Sequence, residues 1–496
     1  MFMDAMKEEL NTIISENGAE MYATSGKELV DFNFKVASYR SASESTIIKD
    51  FKKAWYENKE LALKYLFYVR DVREGLGERR LFRLCIKDLY EELDERVFDW
   101  IAEYGRYDDI FVFIGTKLES KLIDFISDTL ASDMSNSLND KPISLLAKWM
   151  PSINTSSVEK RNLAKYLCNK LSLNYSTYRK MLSKLREYID VLERKLCANE
   201  WEEVDYSKVS SQANLKYKEA FIKHDKERRE QYLDSLVKGE TKINSSTVFP
   251  HDIVHKYIRY GSYSWRPAPL DKDITLEEMW KSLPNYVQGN SNTLVVRDGS
   301  GSMSCKVGNT EISALEVSTA LAIYFSERAE GQFKDNFITF SSRPQLVSFK
   351  GYKSLKDKLE LAFGYDDCSN TNIQATFELV LNTAVKNNLT QEEIPNLLII
   401  SDMEFDEATY HSSNEKLFKT IEREFNEKGY KLPKLIFWNV NSRTGGIPLT
   451  QNDKGVILVS GFSPAIVKLV LNEETDPYKA LVKELMSDRY KQVTLN

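Results

Sequence analysis

At 496 residues, 42% hydrophobic and 29% charged, the chain has a globular composition and is too long for one core, so two or three domains are expected. A formal net charge of −6 excludes a histone-like polycation, and any nucleic acid must be met by a local basic surface. The five cysteines (Cys85, Cys168, Cys197, Cys305, Cys368) are odd in number and contain no Cys-x-x-Cys, so neither a disulfide framework nor a zinc ribbon is indicated. The first ten residues carry acids and no apolar h-region, and no run is long enough to span a membrane. A reducing, cytoplasmic location is therefore expected.

In chain order, Met6, Leu10, Ile13 and Ile14 form a short amphipathic stretch that breaks at Asn17-Gly18 and Ser25-Gly26. From Ser45 the helical period dominates. Ile47, Ile48, Phe51, Ala54 and Trp55, then Leu61, Leu63, Tyr65, Leu66, Tyr68 and Val69, recur at three- and four-residue steps as far as Gly75-Leu76-Gly77. Further helices are expected near 78–89, 96–103, 108–116, 120–131, 142–149, 157–171, 175–186, 187–198 and 213–238. Helices in succession without strands read as an α-helical, HEAT-like repeat array over residues 1–270, on element spacing alone since no sequence period is visible. His251-x-x-x-His255 could set two imidazoles on one helix face, but it lacks a third ligand and the His-Glu-x-x-His pattern, so a structural pair is expected. Trp265-Arg266-Pro267-Ala268-Pro269 reads as an ordered crossing, with 271–290 as a lead-in to the next domain.

From 291 to 496 strands and helices alternate. Strands are expected at Thr293–Arg297, Asn336–Phe340, Gln345–Phe349, Asn396–Ser401, Lys434–Val440 and Gly455–Ser460. That is a doubly wound parallel sheet with one antiparallel edge. At the end of its first strand stands Asp298-Gly299-Ser300-Gly301-Ser302, at the end of a later one Ser401-Asp402, and between them the polar loop Cys368–Asn372. One carboxylate and two hydroxyls on a glycine-tight loop at a strand end suit a hard, oxygen-loving cation.

This pattern resembles the metal-ion-dependent adhesion site of von Willebrand factor A domains. The resemblance implies Asp298, Ser300, Ser302, Thr371 and Asp402 around Mg²⁺ (or Mn²⁺ or Ca²⁺), with an open position for an acidic group of a partner. Two departures stand out: the loop reads Asn-Thr-Asn where Gly-Thr-Asp is commoner, and Asp402 is followed by Met403 where the pattern has glycine. The helical half has its own likeness. Tyr68-Val69-Arg70-Asp71-Val72-Arg73-Glu74-Gly75-Leu76-Gly77-Glu78-Arg79, Tyr104-Gly105-Arg106-Tyr107-Asp108-Asp109 and Leu146-Ala147-Lys148-Trp149-Met150-Pro151 resemble the helical-repeat (TROVE) module of the Ro ribonucleoprotein family. They are still more similar to its uncharacterised plant, viral and bacterial relatives. The implication is an RNA-binding scaffold for structured or misfolded RNA with single-stranded ends.

The residues offer RNA a surface. Arg70, Arg73, Arg79, Arg80, Arg83 and Lys87 crowd one helix–turn–helix corner, and residues 151–229 hold 17 Lys and Arg against 11 Asp and Glu, an excess of six. The candidate contacts are Arg70, Arg73, Arg79, Arg83, Lys148, Arg179, Lys180 and Arg186, beside Tyr175, Tyr178 and Tyr188. No enzyme activity is expected, since no base histidine accompanies the serines. Two other classes stay open. A metal-dependent nucleic-acid hydrolase would draw on Glu404, Asp366 or Asp367 as extra carboxylates, and a protein-only interaction module would lack salt-dependent RNA affinity.

Overall fold

The computed structural model describes residues 10–260, 267–287, 292–340, 343–366, 372–405, 417–448, 456–470 and 476–495. It is an α+β protein of two compact, interleaved units. One comprises Met1–Ala62, Arg73–Leu76 and Ser245–Lys491, and the other Leu63–Val72, Gly77–Asn244 and Gln492–Asn496.

The first unit is built on a six-stranded sheet. Two small pairs precede it in the chain: β1 (Thr12–Ile14) with β2 (Glu20–Tyr22), and β3 (Ile258–Tyr260) with β4 (Pro267–Pro269), both antiparallel. The sheet strands are β5 (Thr293–Asp298), β6 (Asn336–Phe340), β7 (Gln345–Ser348), β8 (Asn396–Ser401), β9 (Leu435–Asn439) and β10 (Val456–Ser460). Their order is β10-β9-β8-β5-β6-β7, all parallel except β7 on the edge. The register sets Arg297 opposite Ile400 and Thr339. Every residue of β5, β9 and β10 is buried, as strands covered on both faces require. On one face Leu294, Val296, Leu397, Ile399, Phe437 and Leu458 pack with helices Ile373–Asn387 and Leu417–Glu427. Helix Ala314–Arg328, buried from Ala314 to Ser326, also packs on the sheet.

The start of the chain belongs to this unit, and the compact units therefore do not follow a linear cut at 270. Ile13 and Ile14 lie in a hairpin rather than on a helix, because Gly18 takes φ +94 at the turn and Ser15 Oγ accepts the Ala19 N–H at 2.9 Å. The hairpin and helix Glu28–Phe34 put Ala19, Met21, Val30 and Phe34 into the sheet's core. Hydrogen bonds fix it: the Tyr22 and Ile447 main chains pair in both directions, and the Asn439 side chain donates from Nδ2 to the Phe34 carbonyl at 2.7 Å. A Cβ on Gly446 would sit 2.3 Å from Met21 Cε, so Met21 packs directly over that glycine.

The expected helices over the first 240 residues form with local corrections. The run from Ser45 to Val69 is two helices, Glu44–Glu57 and Lys59–Arg70, split where Asn58 turns extended and its side chain accepts the Leu61 N–H at 3.0 Å. The stretch near 108–116 tightens to a 3-10 helix, Tyr107–Phe113, and 213–238 divides at Asp225 into Ser211–His224 and Lys226–Val237. Of 142–149 only Leu146–Trp149 is helical. Rings of Phe67, Phe82, Trp100 and Tyr104 interlock in the core of this second unit, with centroids 5.4–5.7 Å apart about Phe67.

Candidate functional site

Strand β5 lies between β8 and β6, so chain segments depart to opposite sides of the sheet there. In open α/β sheets the carboxyl ends at such a switch point form a crevice for ligands. Asp298 ends β5 and Asp402 follows β8, and both are fully buried. Ser401 Oγ donates to Asp298 Oδ2 at 2.6 Å and the Ser300 N–H donates to Oδ1 at 2.9 Å. The Ser300 and Ser302 hydroxyls lie 3.0 Å apart on the short helical turn Gly301–Ser304. Asp298, Ser300, Ser302 and Asp402 thus gather at one place. Thr371 lies outside the described residues, as do Asp367, Cys368, His411, Trp265 and Arg266.

Gly299 is dictated by a close approach. A Cβ there would meet Asp366 Oδ1 at 2.6 Å and Arg297 Nη2 at 3.3 Å. Beneath this loop Arg297 and Asp366 form a fully buried ion pair, and Arg297 also donates to Thr319 Oγ1 at 3.0 Å and to the Ala362 carbonyl at 3.3 Å. On the other strand end, Met403 stands where the commoner pattern has glycine. It adopts φ +62, the left-handed backbone that glycine favours, with its side chain wholly buried. The departure in residue type leaves the backbone turn in place.

Electrostatically the site is two carboxylates taken out of water. Burial raises the pKa of Asp298 against the hydrogen bonds of Ser300 and Ser401. Burial, and then the charge of Asp298, raises that of Asp402. The fixed cation at the mouth is Arg443, whose Nη2 lies 3.4 Å from Asp402 Oδ2 and 2.7 Å from Glu16 Oε2. Sequence reading missed Arg443, since it sits in an irregular Asn-Ser-Arg-Thr stretch past β9 with no motif to mark it. Glu404 is also buried, but its carboxylate accepts from the N–H groups of Arg443 (2.8 Å), Thr444 (2.9 Å) and Glu16 (3.0 Å) and from Thr444 Oγ1. It pins the hairpin and the 442–444 loop to the strand end. Among the described residues no group of three or more His, Cys, Asp or Glu is arranged to hold a metal ion. The centre offers two carboxylates and two hydroxyls instead, an all-oxygen set that fits a hard cation.

The two histidines do not converge. His255 Nδ1 lies 2.7 Å from Glu316 Oε2, while His251 is buried edge-on to Phe462 at 5.4 Å. Burial pushes His251 down to a pKa of about 4, and the Glu316 hydrogen bond raises that of His255.

The basic candidates sort into three kinds. Arg70 is a correction: it is buried, with Nε 2.7 Å from Asp109 Oδ2, and no phosphate can reach it. Arg186 is another, because its guanidinium clamps the Ala147 and Met150 carbonyls at 2.8 and 2.7 Å and Ser152 Oγ at 2.8 Å. Tyr178 is core as well, with its hydroxyl on the Pro151 carbonyl at 2.8 Å. Arg83 pairs with Asp108 and Asp109 yet keeps 31% of its side chain exposed, and Lys148 lies 5.8 Å over the Trp149 ring. Arg73, Arg79, Arg179 and Lys180 are exposed, as are Tyr175 and Tyr188. Arg73 falls in the sheet-bearing unit.

No helix among the described residues is long and apolar enough to cross a membrane. A family model described as a domain of unknown function (DUF2828) matches residues 15–93 and 116–292, and a second one (DUF7788) matches residues 292–493. An uncharacterized protein of Acanthamoeba polyphaga mimivirus is 30% identical over 525 residues, spanning 96% of this chain and 87% of that protein. The chain therefore belongs to the family defined by DUF2828, here followed by a DUF7788 region.

Proposed function

We propose that this protein is a non-enzymatic, Ro-like RNA-binding scaffold. In this reading the helical unit is a HEAT-like array that takes RNA, and the sheet unit is a von Willebrand factor A-like domain that holds a divalent cation for partner recognition. The observation that carries the metal half is the meeting of Asp298 and Asp402 at neighbouring strand ends, with the Ser300 and Ser302 hydroxyls 3.0 Å apart beside them. Two buried carboxylates repel each other and resist ionisation, and a divalent cation relieves both costs at once. Asp298, Ser300, Ser302 and Asp402 would hold Mg²⁺, whose charge, little offset by hydroxyl ligands, would attract a carboxylate or phosphate of a partner. The chain's own residues shape that recognition. Ser401 and the Ser300 N–H aim Asp298, and Glu404 keeps the 442–444 loop across the mouth.

A hydrolase would need further carboxylates at the metal. Asp366 is paired with Arg297 and Glu404 is spent on backbone and hydroxyl donors, which favours recognition over turnover. The RNA half is supported by the exposed Arg179 and Lys180 beside Tyr175, and by the local excess of six basic residues over 151–229.

Calorimetry with Mg²⁺ on the full chain and on Asp298→Ala tests the metal half, where identical titrations would refute it. Retention of cellular RNA by the immobilised protein, weakening steeply between 50 and 200 mM salt as counterion release demands, tests the other. Labelled RNA should stay intact in Mg²⁺, whereas Asp298-dependent fragments would establish the hydrolase.

A further inference from the structure

The three segments that carry the Ro-like resemblance meet in one cluster of side chains within the helical unit. Asp109 sits at its base: Oδ2 accepts from Arg70 Nε at 2.7 Å and from the Arg106 N–H at 3.0 Å, and Oδ1 accepts from Arg83 Nε at 2.6 Å. Asp108 grips Arg106 at Nε (2.8 Å) and Nη2 (2.5 Å) and also pairs with Arg83 Nη2 at 2.9 Å. Burial opposes the charge on Asp108, but Arg106 and Arg83 outweigh it and hold its pKa at about 2. Gly105 is required here, because a Cβ would lie 2.9 Å from Asp109 Oδ2 and 3.0 Å from the Ile101 carbonyl. The Arg106 guanidinium is stacked 3.9 Å over the Trp149 ring, which fixes its plane.

Arg79 completes the cluster and differs from the rest. It is exposed and opens helix Arg79–Asp88 one turn before Arg83 on the same face, and among the described residues its side chain makes no hydrogen bond or ion pair. Partial burial, then the charges of Arg106 and Arg70, lower its pKa against the opposing charge of Asp108. Four guanidinium groups, those of Arg70, Arg79, Arg83 and Arg106, gather about the carboxylates of Asp108 and Asp109. Asp71 and Glu78, adjacent in sequence, are both buried.

We propose that Arg79, with Arg83 and Arg106, binds a terminal phosphate monoester of single-stranded RNA. A monoester is close to a dianion at neutral pH and presents three acceptor oxygens, whereas an internal phosphodiester carries one charge. A guanidinium-rich cluster favours the more highly charged group, and guanidinium forks held by Asp108, Asp109 and Trp149 are already ordered for it. The identity of the ligand rests on the RNA reading above; the anion pocket itself does not.

The test uses the full chain with a short oligouridylate ending in a 5′-phosphate, a 3′-phosphate or hydroxyls only, read by fluorescence anisotropy. One phosphorylated end should bind at least about fivefold tighter than the hydroxyl-ended oligomer, and inorganic phosphate should erase the difference. Arg79→Ala should also erase it, lowering the affinity for the phosphorylated oligomer more than that for the hydroxyl-ended one, with Arg79→Lys intermediate. Equal losses for all oligomers in Arg79→Ala, or no preference for either phosphorylated end, would overturn the proposal. Should no oligomer bind, the RNA reading fails and calorimetry with inorganic phosphate judges the pocket alone. Uptake lost in Arg79→Ala upholds the pocket, and no uptake by the wild type removes it.

Discussion

The sheet crevice and the arginine cluster solve opposite problems. At the strand ends two carboxylates are buried and the cation at hand, Arg443, reaches only one of them, at 3.4 Å. In the helical unit two carboxylates are surrounded by four guanidinium groups, three of them bound at 2.5–2.9 Å. In the first region burial outweighs the nearby arginines and the carboxylate pKa values rise, and in the second the arginines outweigh burial and that of Asp108 falls. The difference teaches what to look for in each: a cation in the first, an anion in the second.

The largest expected effect breaks the second region. Asp109→Ala strands Arg70, which is buried, and should cost about 3–5 kcal/mol, since removing one partner leaves an uncompensated buried charge. Chemical denaturation followed by far-UV circular dichroism would measure it. A loss below about 1 kcal/mol would mean that Arg70 escapes to solvent.

A comparable effect in the sheet-bearing unit comes from acid. His251 has a folded pKa of about 4, below the unfolded 6.5, so the unfolded state binds more protons between those values. Its contribution is complete above pH 6.5 and is lost as pH falls towards 4, on the order of 3 kcal/mol in all. Thermal midpoints across that range should fall more steeply for the wild type than for His251→Phe, whose ring can pack on Phe462. Parallel curves would show that His251 is not the titrating group.

Within the basic surface, Arg186→Ala and Arg179→Ala separate scaffold from contact. The first removes three hydrogen bonds to the Ala147–Ser152 loop and should cost about 1–3 kcal/mol. The second should change stability by less than about 0.5 kcal/mol and weaken only RNA binding. Matching denaturation midpoints for the two variants would erase the distinction.

The smallest effect sharpens the first region. Arg443→Ala removes the positive charge beside Asp402 and should tighten Mg²⁺ binding a few-fold in calorimetry, because like charges no longer compete. Weaker binding would mean that Arg443 organises the crevice rather than competing in it.

What the sequence determined by itself was local. Runs such as Leu294–Val296 and Leu397–Ile400 are apolar throughout, so they had to be strands buried on both faces. Asp298-Gly-Ser-Gly-Ser carries its own turn chemistry, and its glycine is required by the pair beneath it. The tertiary structure decided which charges stay available. Arg70 and Arg79 are nine residues apart in one basic run, yet one is sealed against Asp109 and the other is exposed. That depends on Asp108 and Asp109, thirty residues on, and on the Trp149 ring beyond them. In the same way Glu404 looked like a spare ligand until the Glu16 and Thr444 main chains claimed it. Periodicity and turn residues act over a few positions, so one strand of sequence carries them. Satisfaction of buried charges is settled by segments tens to hundreds of residues apart, and only the folded chain brings those together.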